Sequence, residues 1–135
     1  LVEALPYIKK YYNKIIVIKY GGNAMTDGKL KFAVMNDVAV LSALGIKVVL
    51  VHGGGPEISD ISKKMGITPK FVNGLRYTDA ETAEIARMAL AGKVNKSLVD
   101  LLCAAGGKAI GLCGEDGHML KCEKAPRNSA MGAGL

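Results

Sequence analysis

The chain has 135 residues, half of them hydrophobic, and its 18 lysines and arginines outnumber 12 acidic residues to give a formal charge of +6. That length suits one domain with a real core; no apolar run approaches the ~18–20 residues of a membrane span and no basic-then-apolar leader opens the chain, which predicts a cytoplasmic protein with no membrane partner. The basic residues are spread along the whole chain, with only two Phe and five Tyr for stacking, so a small anionic substrate accounts for the charge better than nucleic acid does.

In chain order, Leu1, Leu5, Ile8 and Tyr12 recur at helical spacing, and Pro6 should kink this segment or begin a second helix. The absence of an initiator Met raises the expectation that sequence is missing upstream. Ile15 to Ile18, four branched apolar residues in a row, read as a strand buried on both faces, the pattern of a parallel sheet. Lys19 ends that strand, and Gly21 and Gly22 follow, where the backbone can turn sharply and bring its N–H groups close to an anion. Leu30, Val34, Val38 and Leu41 predict an amphipathic helix from Lys29 to Leu44 with Gly45 as its stop. Ile46 to Val51 is the next strand, completing a right-handed βαβ unit, and it opens into Gly53, Gly54 and Gly55. Pro56 is expected at the first position of a short helix closed by Gly66.

Asn73-Gly74 between apolar and aromatic residues marks a hairpin over Lys70 to Thr78. Thr78 and Glu81 are spaced as a capping box ahead of a long helical region, which Gly92 and Asn95 should break before Leu98, Leu101 and Leu102 carry a second helix. Ala109 to Cys113 reads as a third buried strand and Met119 to Cys122 as an edge strand. Residues 1–124 are expected to form the domain and 125–135 a disordered tail, since periodicity vanishes from Lys124 onward. Cys103, Cys113 and Cys122 contain no CxxC pair, which predicts buried free thiols; His52 and His118 have no helix-spaced partner, so no metal site is predicted.

Neither glycine turn matches GxxxxGK[ST] or GxGxxG. A lysine that ends a buried strand is costly unless it meets an anion or an acidic partner, so Lys19 is either a phosphate contact or half of a structural ion pair. Arg76, just beyond the hairpin tip, is either a rigid fork for a carboxylate or a solvated charge. Asp37, Asp60 and Asp79 fall on helix faces or caps and are assigned no catalysis.

The segments IIVIKYGGNAM, VVLVHGGGPEIS, FVNGLRYTD, AGKVNK and IGLCGEDG resemble, in order, the N-terminal half of the N-acetylglutamate kinases of the amino acid kinase family. The likeness runs from about Ala4 to Lys124. It implies an α/β fold, a three-layer αβα sandwich with a mainly parallel sheet as in the carbamate kinases, here truncated. It also implies phosphorylation of the side-chain carboxylate of N-acetyl-L-glutamate by ATP with Mg²⁺ in arginine biosynthesis, in a protein that is a dimer or hexamer at full length. Carried onto these positions, Lys19 is catalytic; Lys19, Gly21, Gly22 and Gly54 bind phosphate; Gly53, Gly54, Gly55 and Arg76 bind substrate. The family's second half, with its nucleotide pocket, has no counterpart here, so the chain alone is expected to be inactive. A non-catalytic substrate-binding or oligomerisation module, or another member of the family, is the alternative reading.

Overall fold

The computed structural model describes residues 2–21 and 23–123, so Gly22 and the expected tail lie outside the described residues. A 3₁₀ turn, Val2–Ala4, leads into α1 (Leu5–Tyr11), β1 (Ile15–Tyr20), α2 (Asn23–Thr26), α3 (Gly28–Ala43), β2 (Lys47–His52) and α4 (Gly55–Lys64). There follow a hairpin of β3 (Phe71–Val72) and β4 (Leu75–Arg76), then α5 (Ala80–Arg87), a π-helical stretch Met88–Val94, α6 (Asn95–Ala104) and a 3₁₀ turn at Asp116–His118. The chain divides into two compact units: residues 1–53 with 97–110, and residues 54–96 with 111–135.

In the first unit β1 and β2 pair in parallel, from Ile15 opposite Lys47 to Tyr20 opposite His52, with α3 as the crossover. Asp27 caps α3 by accepting the N–H groups of Lys29 and Leu30, which satisfies two donors that the first turn leaves free. Pro6 falls in the first turn of α1, where its missing N–H costs nothing. Gly45 stops α3 at φ +84°, and the Tyr12 ring lies where its Cβ would stand, so conformation and packing both demand glycine there.

Two expectations need correction in this unit. The strands are not buried on both faces: Tyr20 is buried on the covered face, whereas Ile15 and Val17 are 69% and 64% exposed on the other, beside exposed Val49 and Val51. A side-chain period of two puts those four residues on one side of the sheet, and no element among the described residues covers it. The apolar stripe of α3 is also turned by about one residue, since Met35, Val38 and Ala39 are buried and Leu30 is half exposed. Eight consecutive residues from Val34 to Leu41 offer six apolar side chains, so periodicity could not choose the inward line.

The core of the second unit is Ile58 from α4 with Ile85 and Ala89 from α5 and the π-helical stretch, flanked by Ile61, Ile67, Ala86 and Leu90. The predicted hairpin is present, with Asn73 at φ +51° and Gly74 at φ +78°, the paired positive values of a type I′ turn. Gly55 rather than Pro56 opens α4. The N-cap of α5 is Asp79, whose carboxylate accepts from Thr82 N–H at 2.8 Å, while Thr78 Oγ1 donates instead to the Arg76 carbonyl at 3.3 Å. The helix therefore starts one residue later than a capping box on Thr78 requires.

Gly92 and Asn95 do not break the helix. The chain passes through them with π-type turns, and the buried line Ile85, Ala89, Val94, Leu98 outweighs the ~1 kcal/mol that a mid-helix glycine costs. Ala109 to Cys113 forms no ladder. The carbonyls of Gly111 and Leu112 accept instead from Lys96 Nζ at 3.0 Å and Asn95 Nδ2 at 3.2 Å, so side chains take the place of a neighbouring strand. Met119 to Cys122 is likewise not a strand; Leu120 N–H bonds back to the Gly114 carbonyl across the 3₁₀ turn. The three cysteines are free, but Cys103 and Cys122 are exposed and Cys113 only half buried.

Candidate functional site

The first unit brings Lys19, Gly21 and Gly53 to the carboxyl ends of its two strands. Lys19 shares the open face with Ile15 and Val17, and its side chain is exposed. It curls back over the turn: a Cβ on Gly21 would lie 2.8 Å from Lys19 Nζ. Among the described residues the ion pairs are Lys64–Asp60 and Arg87–Glu115, and Lys19 stands in neither. The turn is strapped by Tyr20, 3% exposed, whose Oη donates to the Ala24 carbonyl at 2.6 Å; burial pushes the Tyr20 phenol's pKa up. Gly53 N–H donates to the Tyr20 carbonyl at 3.3 Å, which continues the parallel ladder and engages that N–H within the sheet. A Cβ on Gly53 would meet open space.

The second unit brings Gly54, Gly55 and Arg76 together. Gly54 is buried, and a Cβ there would stand 2.7 Å from Leu90 Cδ2 and 3.1 Å from Val94 Cγ2. Its φ of 161° lies outside the left-handed range, and packing against the π-helical stretch leaves no room for a Cβ. Gly55 opens α4 with free space about its Cα. Arg76, at the end of β4, is no solvated charge: Nη2 donates to the Gly55 carbonyl at 3.0 Å and to Ser59 Oγ at 2.8 Å, and Cζ lies 4.8 Å from the centroid of the Phe71 ring. Two elements, α4 and β3, thus hold a planar cation on β4, and among the described residues its buried Nη1 has no acceptor.

Ser59, Glu57 and Phe71 were not singled out from the sequence. Ser59 had a signal, because it lies four residues after Gly55 and so on the same face of α4. Phe71 had another, since a two-residue I′ loop sets it opposite Arg76. Asp79, assigned no catalysis, is a cap, and its hydrogen bonds from Thr82 hold its carboxyl below the ordinary carboxylate range.

Residues 14–132 match the sequence model of the amino acid kinase family. The chain belongs to that family. An acetylglutamate kinase of Caldanaerobacter subterraneus subsp. tengcongensis is 56% identical over 132 residues, covering 98% of this chain and 44% of the relative. One from Clostridioides difficile is 58% identical over 123 residues, covering 91% and 43%. Among solved structures, N-acetylglutamate synthase from Neisseria gonorrhoeae complexed with coenzyme A and N-acetyl-glutamate superposes with a TM-score of 0.62 at 31% identity, over 77% of this chain and 24% of that one. The chain therefore spans less than half the length of the curated relatives it matches.

Proposed function

We propose that the chain is the acetylglutamate-binding portion of an acetylglutamate kinase, in which ATP with Mg²⁺ phosphorylates the side-chain carboxylate of N-acetyl-L-glutamate. The observation that carries this reading is the Arg76 guanidinium. It is held by Gly55, Ser59 and Phe71 and keeps a buried donor, Nη1, for a ligand. A cation fixed in this way suits the α-carboxylate of a small acid. The acceptor is itself a carboxylate, ionised and nucleophilic at neutral pH, so no general base is required and catalysis reduces to alignment and neutralisation of charge.

Lys19, exposed and in no ion pair among the described residues, supplies the neutralising charge for the transferring phosphoryl group, aided by backbone N–H groups at Gly21, Gly22 and Gly54. Gly53 and Gly55 give the substrate close access to the backbone. The cytoplasm and a dimeric or hexameric full-length protein belong to the same proposal; among the described residues no helix is long and apolar enough to cross a membrane. The alternative reading is a binding or oligomerisation module without catalysis.

Trapping of acyl phosphate by hydroxylamine, with ATP, Mg²⁺ and acetylglutamate, separates the two. The full-length protein is expected to give hydroxamate with N-acetylglutamate and much less with aspartate or carbamate as acceptor. The 135-residue chain is expected to bind acetylglutamate without turnover, because reaction rates fall by orders of magnitude when one reactant is not held in line. No hydroxamate from the full-length protein would leave only the module reading, and a preference for another acceptor would move the protein elsewhere in the family.

A further inference from the structure

The helical region after Asp79 changes pitch part way along. Ile85 and Ala89 are buried four residues apart, the spacing an α-helix dictates, but the next buried residue is Val94, five further on. An uninterrupted α-helix would carry Lys93 to that line and turn Val94 about 100° past it. The π-helical stretch Met88–Val94 takes up the extra residue: the Asn95 N–H donates to the Leu90 carbonyl, five residues back rather than four. Lys93 stays exposed in consequence. It stands near α4, where the Asp60 carboxyl is held below its ordinary range by its hydrogen bond from Lys64 and further by the charge of Lys93.

What the extra residue brings inward is a wall for one glycine. Val94 Cγ2 lies 3.1 Å, and Leu90 Cδ2 2.7 Å, from where a Gly54 Cβ would stand. On its other side the Gly54 carbonyl accepts the Ile58 N–H at 3.0 Å in the first turn of α4. Gly54 is thus pinned between two helical elements. A lysine in the place of Val94 would have to bury its ammonium or push the helix away. π-helical turns are frequent at functional sites, and this one packs on the glycine triplet.

We propose that the π-helical stretch sets the register that makes Val94, with Leu90, a positioning residue for the Gly54 backbone. Their methyl groups fix that peptide by contact and bring no charge or hydrogen-bonding group to compete for an anion there. The inference rests on the acetylglutamate reading, which uses the Gly54 N–H. It goes beyond that reading by naming what holds the glycine in place and why the helix widens beside it.

The test is hydroxamate formation by the full-length protein at saturating ATP and acetylglutamate, with urea midpoints to confirm that each variant folds. Val94→Ala removes the methyl nearest Gly54 and should lower kcat roughly 10- to 100-fold, the loss for a group misplaced by about 1 Å. Its KM for ATP should change less than about twofold. Val94→Thr keeps the branched shape and should hold kcat within about threefold of wild type, although its buried hydroxyl lowers the urea midpoint. Deletion of Gly92 removes the extra residue, so that an ordinary α-helix carries Val94 to the same line, and kcat should again be retained. That deletion stays informative if Val94→Ala fails to fold. A wild-type kcat in Val94→Ala makes Val94 a core residue only and overturns the positioning role, while acetylglutamate remains the substrate. A folded Gly92 deletion that loses kcat overturns the register argument. No hydroxamate from wild type overturns the acetylglutamate reading, and this inference with it.

Discussion

The glycine triplet offers a sharp test, because its three members differ in what a methyl group would meet. Gly54→Ala in the full-length protein would set a Cβ 2.7 Å from Leu90 Cδ2 and 3.1 Å from Val94 Cγ2. Relieving that overlap by shifting Leu90 or the helix costs about 1–3 kcal/mol. Loss of chain entropy in the unfolded state offsets about 0.4–1 kcal/mol. The net destabilisation expected from these two terms is about 0.5–2 kcal/mol. With a urea m-value of ~2 kcal/mol/M, the midpoint should fall by about 0.25–1 M at unchanged m. Gly53→Ala and Gly55→Ala meet no heavy atom within 4 Å and should leave the midpoint unchanged or slightly raised. A second substitution, Leu90→Ala, should remove most of the Gly54→Ala penalty in a double-mutant cycle. A Gly54→Ala midpoint equal to wild type, or a penalty that persists without the Leu90 side chain, would refute the packing argument.

Arg76→Lys keeps the charge but loses the fork, and should raise KM for acetylglutamate roughly tenfold or more with little change in KM for ATP, as expected for a charged hydrogen bond; equal effects on both substrates would remove Arg76 from the clamp. Lys19→Met should chiefly lower kcat in the same steady-state assay, since its charge is needed where phosphoryl charge moves, and an unchanged kcat would leave Lys19 without a catalytic part. Asp79 titrates below its unfolded value because of its bonds from Thr82, side chain first. Its contribution is therefore complete above the unfolded pKa of ~3.9 and is lost as pH falls through the lower folded value. Asp79→Asn should accordingly flatten the fall of the urea midpoint below about pH 4, and superimposable acid limbs for the two proteins would contradict the cap.

Much was legible in the sequence because it was local. The strand before Lys19, the strand before Gly53 and the Asn73-Gly74 hairpin each depend on a few adjacent residues whose backbone preferences agree, and all three stand in the structure. Gly45 and Gly66 were readable as helix stops for the same reason, and both adopt positive φ. The order of these motifs also carried the family, which the match over residues 14–132 supports. What the sequence could not decide depended on partners distant along the chain. The same branched run fits a strand covered on one face or on two, and only packing left Ile15 and Val17 exposed. The run Ala109 to Cys113 has strand composition but found no ladder, because pairing needs a neighbour at the right spacing, and Asn95 and Lys96 took its carbonyls first. Gly92 looked like a break until burial of Ala89 and Val94 carried the helix through it. At the candidate site, residue types announced a lysine, an arginine and glycines, but not their states. That Lys19 stands in no ion pair among the described residues, that Leu90 and Val94 crowd the Cβ position of Gly54, and that Arg76 and Glu57 each keep a buried atom with no partner among those residues follow from side chains meeting across the fold, and spacing along the chain holds no record of such meetings.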